Sequence, residues 1–103
     1  MDKAKRAKLE AAGWAVGTPK EFLNLSTEDE AFIEMKVALA ATLRQRRIDQ
    51  HLSQVVAAKR IQSSQSRLAK MELADKTVTV DLLIRSILKL GGTREMVAAA
   101  LAP

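Results

Sequence analysis

Apolar residues recur every three or four positions along most of the chain after residue 26, which is the spacing of amphipathic helices. The longest such stretch runs to about Gln50, and Thr27 with Glu30 has the spacing of a capping box at its start. Shorter stretches at 53–61, 64–71, 80–90 and 93–101 each begin at a residue that can cap a helix: Ser53, Ser64, Thr79 and Thr93. Residues 77–80 alternate like a strand, but they have no partner strand. The pattern predicts an all-α protein of five or six helices with short connections.

Residues 1–25 follow a different pattern. Residues 2–12 are good helix formers without an apolar stripe, and three breakers follow them before residue 20. We therefore expect an N-terminal extension over 1–25, partly flexible, and one folded domain over 26–103. Trp14 and Phe22 are either core residues or an exposed patch for a partner.

Composition excludes several classes of protein. The chain has 103 residues, no cysteine and one histidine, His51, which excludes a disulfide framework, a thiolate zinc site and a histidine metal cluster. We expect no metal, no cofactor and no enzymatic activity, because no pair of groups has the pattern of a catalytic site. Three aromatic residues leave an aliphatic core. No apolar run approaches a membrane span and the N-terminus does not read as a signal peptide, so we expect a soluble, cytoplasmic protein.

The net charge of +5 is unevenly distributed. Residues 21–35 hold five acids and no base, whereas residues 36–70 hold eight bases and a single acid, Asp49. A basic stretch on folded helices favours a polyanionic partner, because each neutralised phosphate releases counterions. The same run is also compatible with a solvated surface.

Two short helices joined by a tight turn, 53–61 and 64–71, have the layout of a helix-turn-helix. The first helix needs a small residue where the axes approach, and Ala58 is there. The turn needs a residue that tolerates positive φ, and the chain places Gln62 there instead of glycine. Apolar residues on the second helix (Leu68 and Met71) predict the side that packs on the domain.

Residues 43–72, LRQRRIDQHLSQVVAAKRIQSSQSRLAKME, resemble the Xre (Cro and λ-repressor-like) helix-turn-helix family. The stretches GWAVGTPKEFLNLS, SRLAKME and TVDLLIRSILKLGGTREM are similar to HigA-like antitoxins and their stand-alone Xre relatives. The resemblance spans residues 9–100 and implies a λ-repressor-like domain of five to six helices. The departures are Gln62, Ser63, Ala69 and the pair Leu73-Ala74, which affect loop geometry.

The resemblance assigns DNA contacts to one side of the helix-turn-helix. Gln54 would bind a phosphate, and Gln65 and Ser66, behind Ser64, would form the tip of the recognition helix. A glutamine amide can pair with adenine, and Arg67 can reach a base or a phosphate. Lys70 is expected on roughly the same face as Gln65. The implied contact set is Gln54, Ser64, Gln65, Ser66, Arg67 and Lys70.

Two further residues carry a structural role in the resembled fold. Arg47 pairs with Glu72, the residue that closes the recognition helix, and holds that helix in place. The function implied is a homodimeric transcriptional repressor of double-stranded DNA, associated with the nucleoid, and within the subgroup an antitoxin with a RelE/HigB-like toxin partner. The alternatives are a stand-alone Xre-type regulator of host or phage origin, or an interaction protein that no longer reads DNA.

Overall fold

The computed structural model describes residues 26–103 together with Lys3, Ala4 and Ala7. Between residues 26 and 103 the chain is all-α, without a strand, as expected. Its five helices are α1 (Thr27–Asp49), α2 (Gln54–Arg60), α3 (Gln65–Glu72), α4 (Val80–Lys89) and α5 (Arg94–Leu101). None of the described helices has the combination of length and apolar composition that a membrane crossing requires. The expectations for Trp14 and Phe22 fall outside the described residues.

Each helix begins behind a hydroxyl residue that caps it. Four of these caps were predicted, and in each the side-chain oxygen accepts the backbone N–H three residues on, as Ser64 does from Arg67 at 3.1 Å. The capping-box prediction at Thr27 and Glu30 is wrong by one residue. Ser26 is the cap, in extended backbone, and its hydroxyl accepts from the Asp29 N–H at 3.0 Å, while Thr27 is already helical.

Helices α1 to α4 end in the same way, with a residue in the left-handed conformation. Their terminal residues have positive φ: His51 at 56°, Gln62 at 57°, Ala74 at 54° and Gly91 at 83°. The next N–H along closes each end on the carbonyl five residues earlier, for example Ser63 N to Ala58 O at 2.8 Å. The prediction of positive φ at Gln62 is confirmed. Three of these four positions lack the glycine that such an end favours, so each carries backbone strain.

The core of the described domain is aliphatic, as composition predicted. It is centred on fully buried side chains from three helices, α1, α3 and α4: Leu39, Leu43, Leu68, Met71, Leu83 and Ile87. Helix α2 adds Ala57, Ala58 and Ile61. The apolar periodicity of residues 80–90 predicts that Leu88 is buried. This prediction is wrong: Leu88 is 45% exposed, because α4 buries only the side that packs on α1.

The end of α1 also fixes the corner between α4 and α5. Arg46 Nε donates to Leu90 O at 3.1 Å and Gln50 Nε2 donates to the same oxygen at 2.9 Å, so the end of α1 satisfies the carbonyl of the residue that ends α4. Gly92 packs so closely against α4 that a Cβ at this position would lie 2.7 Å from Ile87 O. The corner is therefore rigid, and α5 returns along α1.

Candidate nucleic-acid interface

Helices α2 and α3 pack against each other around small residues. Ala57 and Ala58 are buried on α2, and the absence of larger side chains lets the two axes approach. The turn between them runs through Ile61 and Gln62 to the cap Ser64. Besides the positive φ of Gln62, the turn contains the Ser63 hydroxyl, which is buried and has no hydrogen-bond partner.

An ion pair joins α1 to the end of α3. Arg47 Nε donates to Glu72 Oε2 at 2.7 Å and Arg47 Nη2 donates to Glu72 Oε1 at 2.9 Å. The third donor, Arg47 Nη1, reaches Leu52 O at 2.9 Å at the entrance to α2. Both side chains are largely enclosed, and the Glu72 carboxylate raises the pKa of Arg47 above its ordinary value. The predicted pair is thus present, and one guanidinium ties together α1, the α1–α2 turn and α3.

A hydrogen-bonded chain continues from this pair to the tip of α3. Gln54 Nε2 donates to Glu72 Oε1 at 3.3 Å, and Gln54 Oε1 accepts from Gln65 Nε2 at 2.7 Å. Glu72 can only accept, so the amide nitrogen of Gln54 must face it and the amide oxygen must face Gln65. Gln65 keeps one N–H and its carbonyl oxygen for an external partner. Gln54 was expected to bind a phosphate; the structure engages its amide with these two residues.

The remaining predicted contact residues divide into two groups. One group consists of exposed side chains that are free of a role in the fold: Ser66, Arg67 and Lys70. The other is Ser64, which is exposed but whose hydroxyl already caps α3. The expectation that Lys70 shares a face with Gln65 is wrong, since five helical residues rotate by about 140°. Lys70 lies instead with Ser66 and Arg67 along a cleft of about 300 Å³.

The other wall of this cleft is the loop between α3 and α4, which residue patterns did not single out. Thr77 and Val78 line it together with Leu82 of α4. Asp75 Oδ1 accepts from the Thr77 hydroxyl at 2.6 Å and from the Thr77 N–H at 2.9 Å. These hydrogen bonds, and then the charges of Lys70 and Lys36, hold the pKa of Asp75 below its ordinary range. No local signal in the sequence reveals Thr77, because its place depends on how the loop folds back on α3.

Lys36 supports the same loop from behind. It is 3% exposed, and its Nζ lies 3.4 Å from Lys76 O. Burial lowers the pKa of Lys36, while the charge of Asp75 acts in the opposite direction. The loop is therefore held from inside the domain as well as by its own hydrogen bonds.

Two short helices at a tight turn, the second presenting an exposed polar end and a buried apolar side, define a helix-turn-helix domain. Residues 43–91 match the family model described as Helix-turn-helix, which supports an Xre-like, Cro-type domain in this segment. That family consists of DNA-binding regulatory domains and not of enzymes, and its domains bind double-stranded DNA, so the match supports a DNA-binding transcriptional regulator. Among curated proteins and among solved structures, nothing matches this chain significantly.

Proposed function

We propose that the protein is a sequence-specific, operator-binding repressor that reads DNA through the exposed end of α3. The observation that carries the proposal is the chain of hydrogen bonds from Arg47 through Glu72 and Gln54 to Gln65. It fixes the orientation of the Gln65 amide before DNA arrives, which reduces the ordering cost of reading a base edge. One remaining donor and one remaining acceptor suit the N6 and N7 edge of adenine.

The cationic side of the cleft has a different role in this proposal. Arg67 and Lys70 flank the exposed hydroxyl of Ser66, a combination suited to backbone phosphate. Phosphate contacts position the protein without reading sequence, so this side supplies affinity and Gln65 supplies choice of base. Gln54 acts by holding Gln65.

The two roles can be separated by substitution. An operator is first selected from random duplexes, and binding is then measured by fluorescence anisotropy on it and on a scrambled duplex. Gln65→Ala is expected to lose about 1–3 kcal/mol on the operator and little on the scrambled duplex. Lys70→Ala is expected to weaken both duplexes equally and to reduce the salt slope by about one unit. Arg94→Ala, a charge removal on α5, is the control.

Equal losses on both duplexes for Gln65→Ala would show that this residue reads no base. Failure of any duplex to be enriched, with the protein folded, would contradict DNA binding altogether. In that case the interaction-protein alternative would stand.

We further propose that the DNA-binding form is a dimer assembled through α4 and α5. Leu88 and Leu101 are 45% and 39% exposed, and α5 buries none of its residues within the described domain. A second copy covering this apolar surface would set two α3 helices about 34 Å apart, one turn of DNA. Leu88→Glu is expected to give a monomer in sedimentation and to weaken operator binding, whereas Lys89→Glu leaves both unchanged. A dimer that persists in Leu88→Glu would contradict this interface.

Within this function we propose an antitoxin that represses its own operon and binds a RelE/HigB-like toxin, in the cytoplasm at the nucleoid. The support is the similarity of the three flanking stretches quoted above to HigA-like antitoxins. Affinity purification of the chain from its native cells, followed by mass spectrometry, is expected to recover a small ribonuclease. Recovery of DNA without such a protein would favour the stand-alone regulator.

A further inference from the structure

The outward side of α2 carries an unusual pair of surface properties. With Ala57, Ala58 and Ile61 buried, the residues left facing solvent are Val55, Val56, Lys59 and Arg60, which we call the α2 face. The two valines are 52% and 44% exposed. Residues 50–71 contain no acid, so the α2 face is apolar and purely basic.

Helix stability does not account for these valines. A β-branched side chain loses rotamer freedom in a helix, and α2 has only seven residues with no acid in its first turn to complement the dipole. Alanine at both positions would favour the helix. The exposed valines therefore lower the stability of α2 as a helix. This indicates that they contribute to a contact with another surface.

A complementary surface lies on the same molecule, at the start of α1. Glu28 and Asp29 are exposed, and Phe32 is 47% exposed. Phe32 follows these acids by four and three positions, so the three side chains share one side of the helix. We call this group the acidic end of α1. It joins negative charge to an exposed apolar ring, as the α2 face joins positive charge to two exposed valines.

The two surfaces cannot meet within one molecule. At 1.5 Å per residue, the seventeen positions from Phe32 to Asp49 span about 26 Å of continuous helix, and α2 begins only beyond that end. Contact is therefore possible only between copies. In a heterologous, head-to-tail arrangement each pair leaves one surface of each kind open, so assembly continues beyond two copies.

We propose that the α2 face binds the acidic end of α1 of a second copy, so that neighbouring molecules associate in rows. This contact is separate from the apolar dimer of α4 and α5. It aligns copies side by side, and molecules bound at adjacent DNA sites would then bind cooperatively. The self-association itself does not depend on DNA binding, so it is tested without DNA.

Sedimentation velocity of the full chain across a concentration series measures the association. Wild type is expected to form species larger than a dimer at high concentration in about 0.05 M salt. These should dissociate in about 0.5 M salt, which shortens the Debye length from about 14 Å to about 4 Å. Charge-reversed variants, Lys59→Glu with Arg60→Glu or Glu28→Lys with Asp29→Lys, should each weaken the association by about tenfold.

Charge exchange gives the decisive arm. The two charge-reversed variants are expected to associate with each other when mixed, because each then finds an opposite surface on the other. The four substitutions in one chain should also restore self-association. Arg44→Glu with Lys76→Glu, the same reversal at two exposed positions outside both surfaces and outside α4 and α5, is the control and should leave the salt-sensitive association unchanged.

The last variant tests the apolar part of the contact without lowering the stability of α2. Val55→Ala with Val56→Ala raises the helix propensity of α2 and keeps every charge, and it should still lose the association. Wild type that never exceeds a dimer in low salt would overturn the proposal. So would an association that survives both charge reversals, or mixed variants that stay apart while circular dichroism shows both folded. Failure of DNA selection, by contrast, would leave these results untouched.

Discussion

Removal of Arg47 is expected to unfold the domain and not to remove a DNA contact. Its guanidinium makes three hydrogen bonds, two to Glu72 and one to Leu52 O. The side chains of Arg47 and Glu72 are 14% and 4% exposed, so Arg47→Ala leaves a buried carboxylate with only the Gln54 amide at 3.3 Å. Stranding one charge of such a pair costs about 3–5 kcal/mol. That is a large part of the roughly 5–15 kcal/mol that stabilises a small domain.

Urea and thermal unfolding, followed by circular dichroism, measure this effect directly. A loss of about 3–5 kcal/mol lowers Tm by more than about 12 °C in a domain of this size. Glu72→Ala should behave in the same way, because it strands the Arg47 charge. Arg47→Leu with Glu72→Met removes both charges and should recover part of the loss, short of wild type because Leu52 O stays without its donor.

A matched control exists on α4. Arg85 and Asp81 form an ion pair whose side chains are 72% and 73% exposed, and Arg85→Ala should change stability by about 0.5 kcal/mol or less. DNA binding of Arg47→Ala, measured where the variant is still folded, should be retained, because Gln54 still links Glu72 to Gln65. If Arg47→Ala keeps the wild-type unfolding curve and still abolishes binding, Arg47 is a DNA contact and the reasoning from burial is refuted.

Substitutions at three further positions test local features of the turns. Ser63→Ala removes a buried hydroxyl without a partner and should raise the free energy of unfolding by about 1 kcal/mol; an unchanged value would mean that the hydroxyl is satisfied in solution. Gln62→Gly should relieve the strain of φ at 57° and stabilise by up to about 1 kcal/mol, whereas Gln62→Val should destabilise in the same urea titration. The lowered pKa of Asp75 means that its contribution is complete above the ordinary value of about 3.9 and is lost as pH falls through the folded value. The stability difference between wild type and Asp75→Asn should therefore shrink on acidification below about pH 4, and a difference that stays constant with pH would contradict this role.

Local signals predicted the helix starts well, because a cap is a contact between residues three apart. Four of five caps followed from Ser or Thr before an apolar run, and the fifth moved by one residue because Ser26 and Thr27 offer the same hydroxyl. Leu88 shows the limit of periodicity, since an apolar pattern does not reveal which part of it a neighbour covers.

The site depends more on tertiary arrangement. Only the resemblance to a known family predicted the pair of Arg47 and Glu72. The two residues are 25 positions apart, so no local pattern in the sequence connects them. The amide chain through Gln54, the burial of Lys36 behind a loop and the place of Thr77 depend on how α1, α3 and the α3–α4 loop meet. Lys70 was predicted to lie on the same side of α3 as Gln65. The prediction failed because a separation of five residues in a helix corresponds to a rotation of about 140°.

The distribution of charge along α1 has a consequence for how the molecule approaches DNA. Its first turn holds Glu28, Asp29 and Glu30, whereas Arg44 and Arg46 lie towards its other end, so side-chain charge is separated over about 24 Å of rigid helix. These full charges outweigh the half-charges of the helix backbone, which point the other way. The electric field of a polyanion exerts a torque on the molecule, which turns the basic end of α1 towards the DNA and the acidic end away from it. Encounters would then begin already oriented, and the association rate would fall with salt more steeply than net charge alone requires.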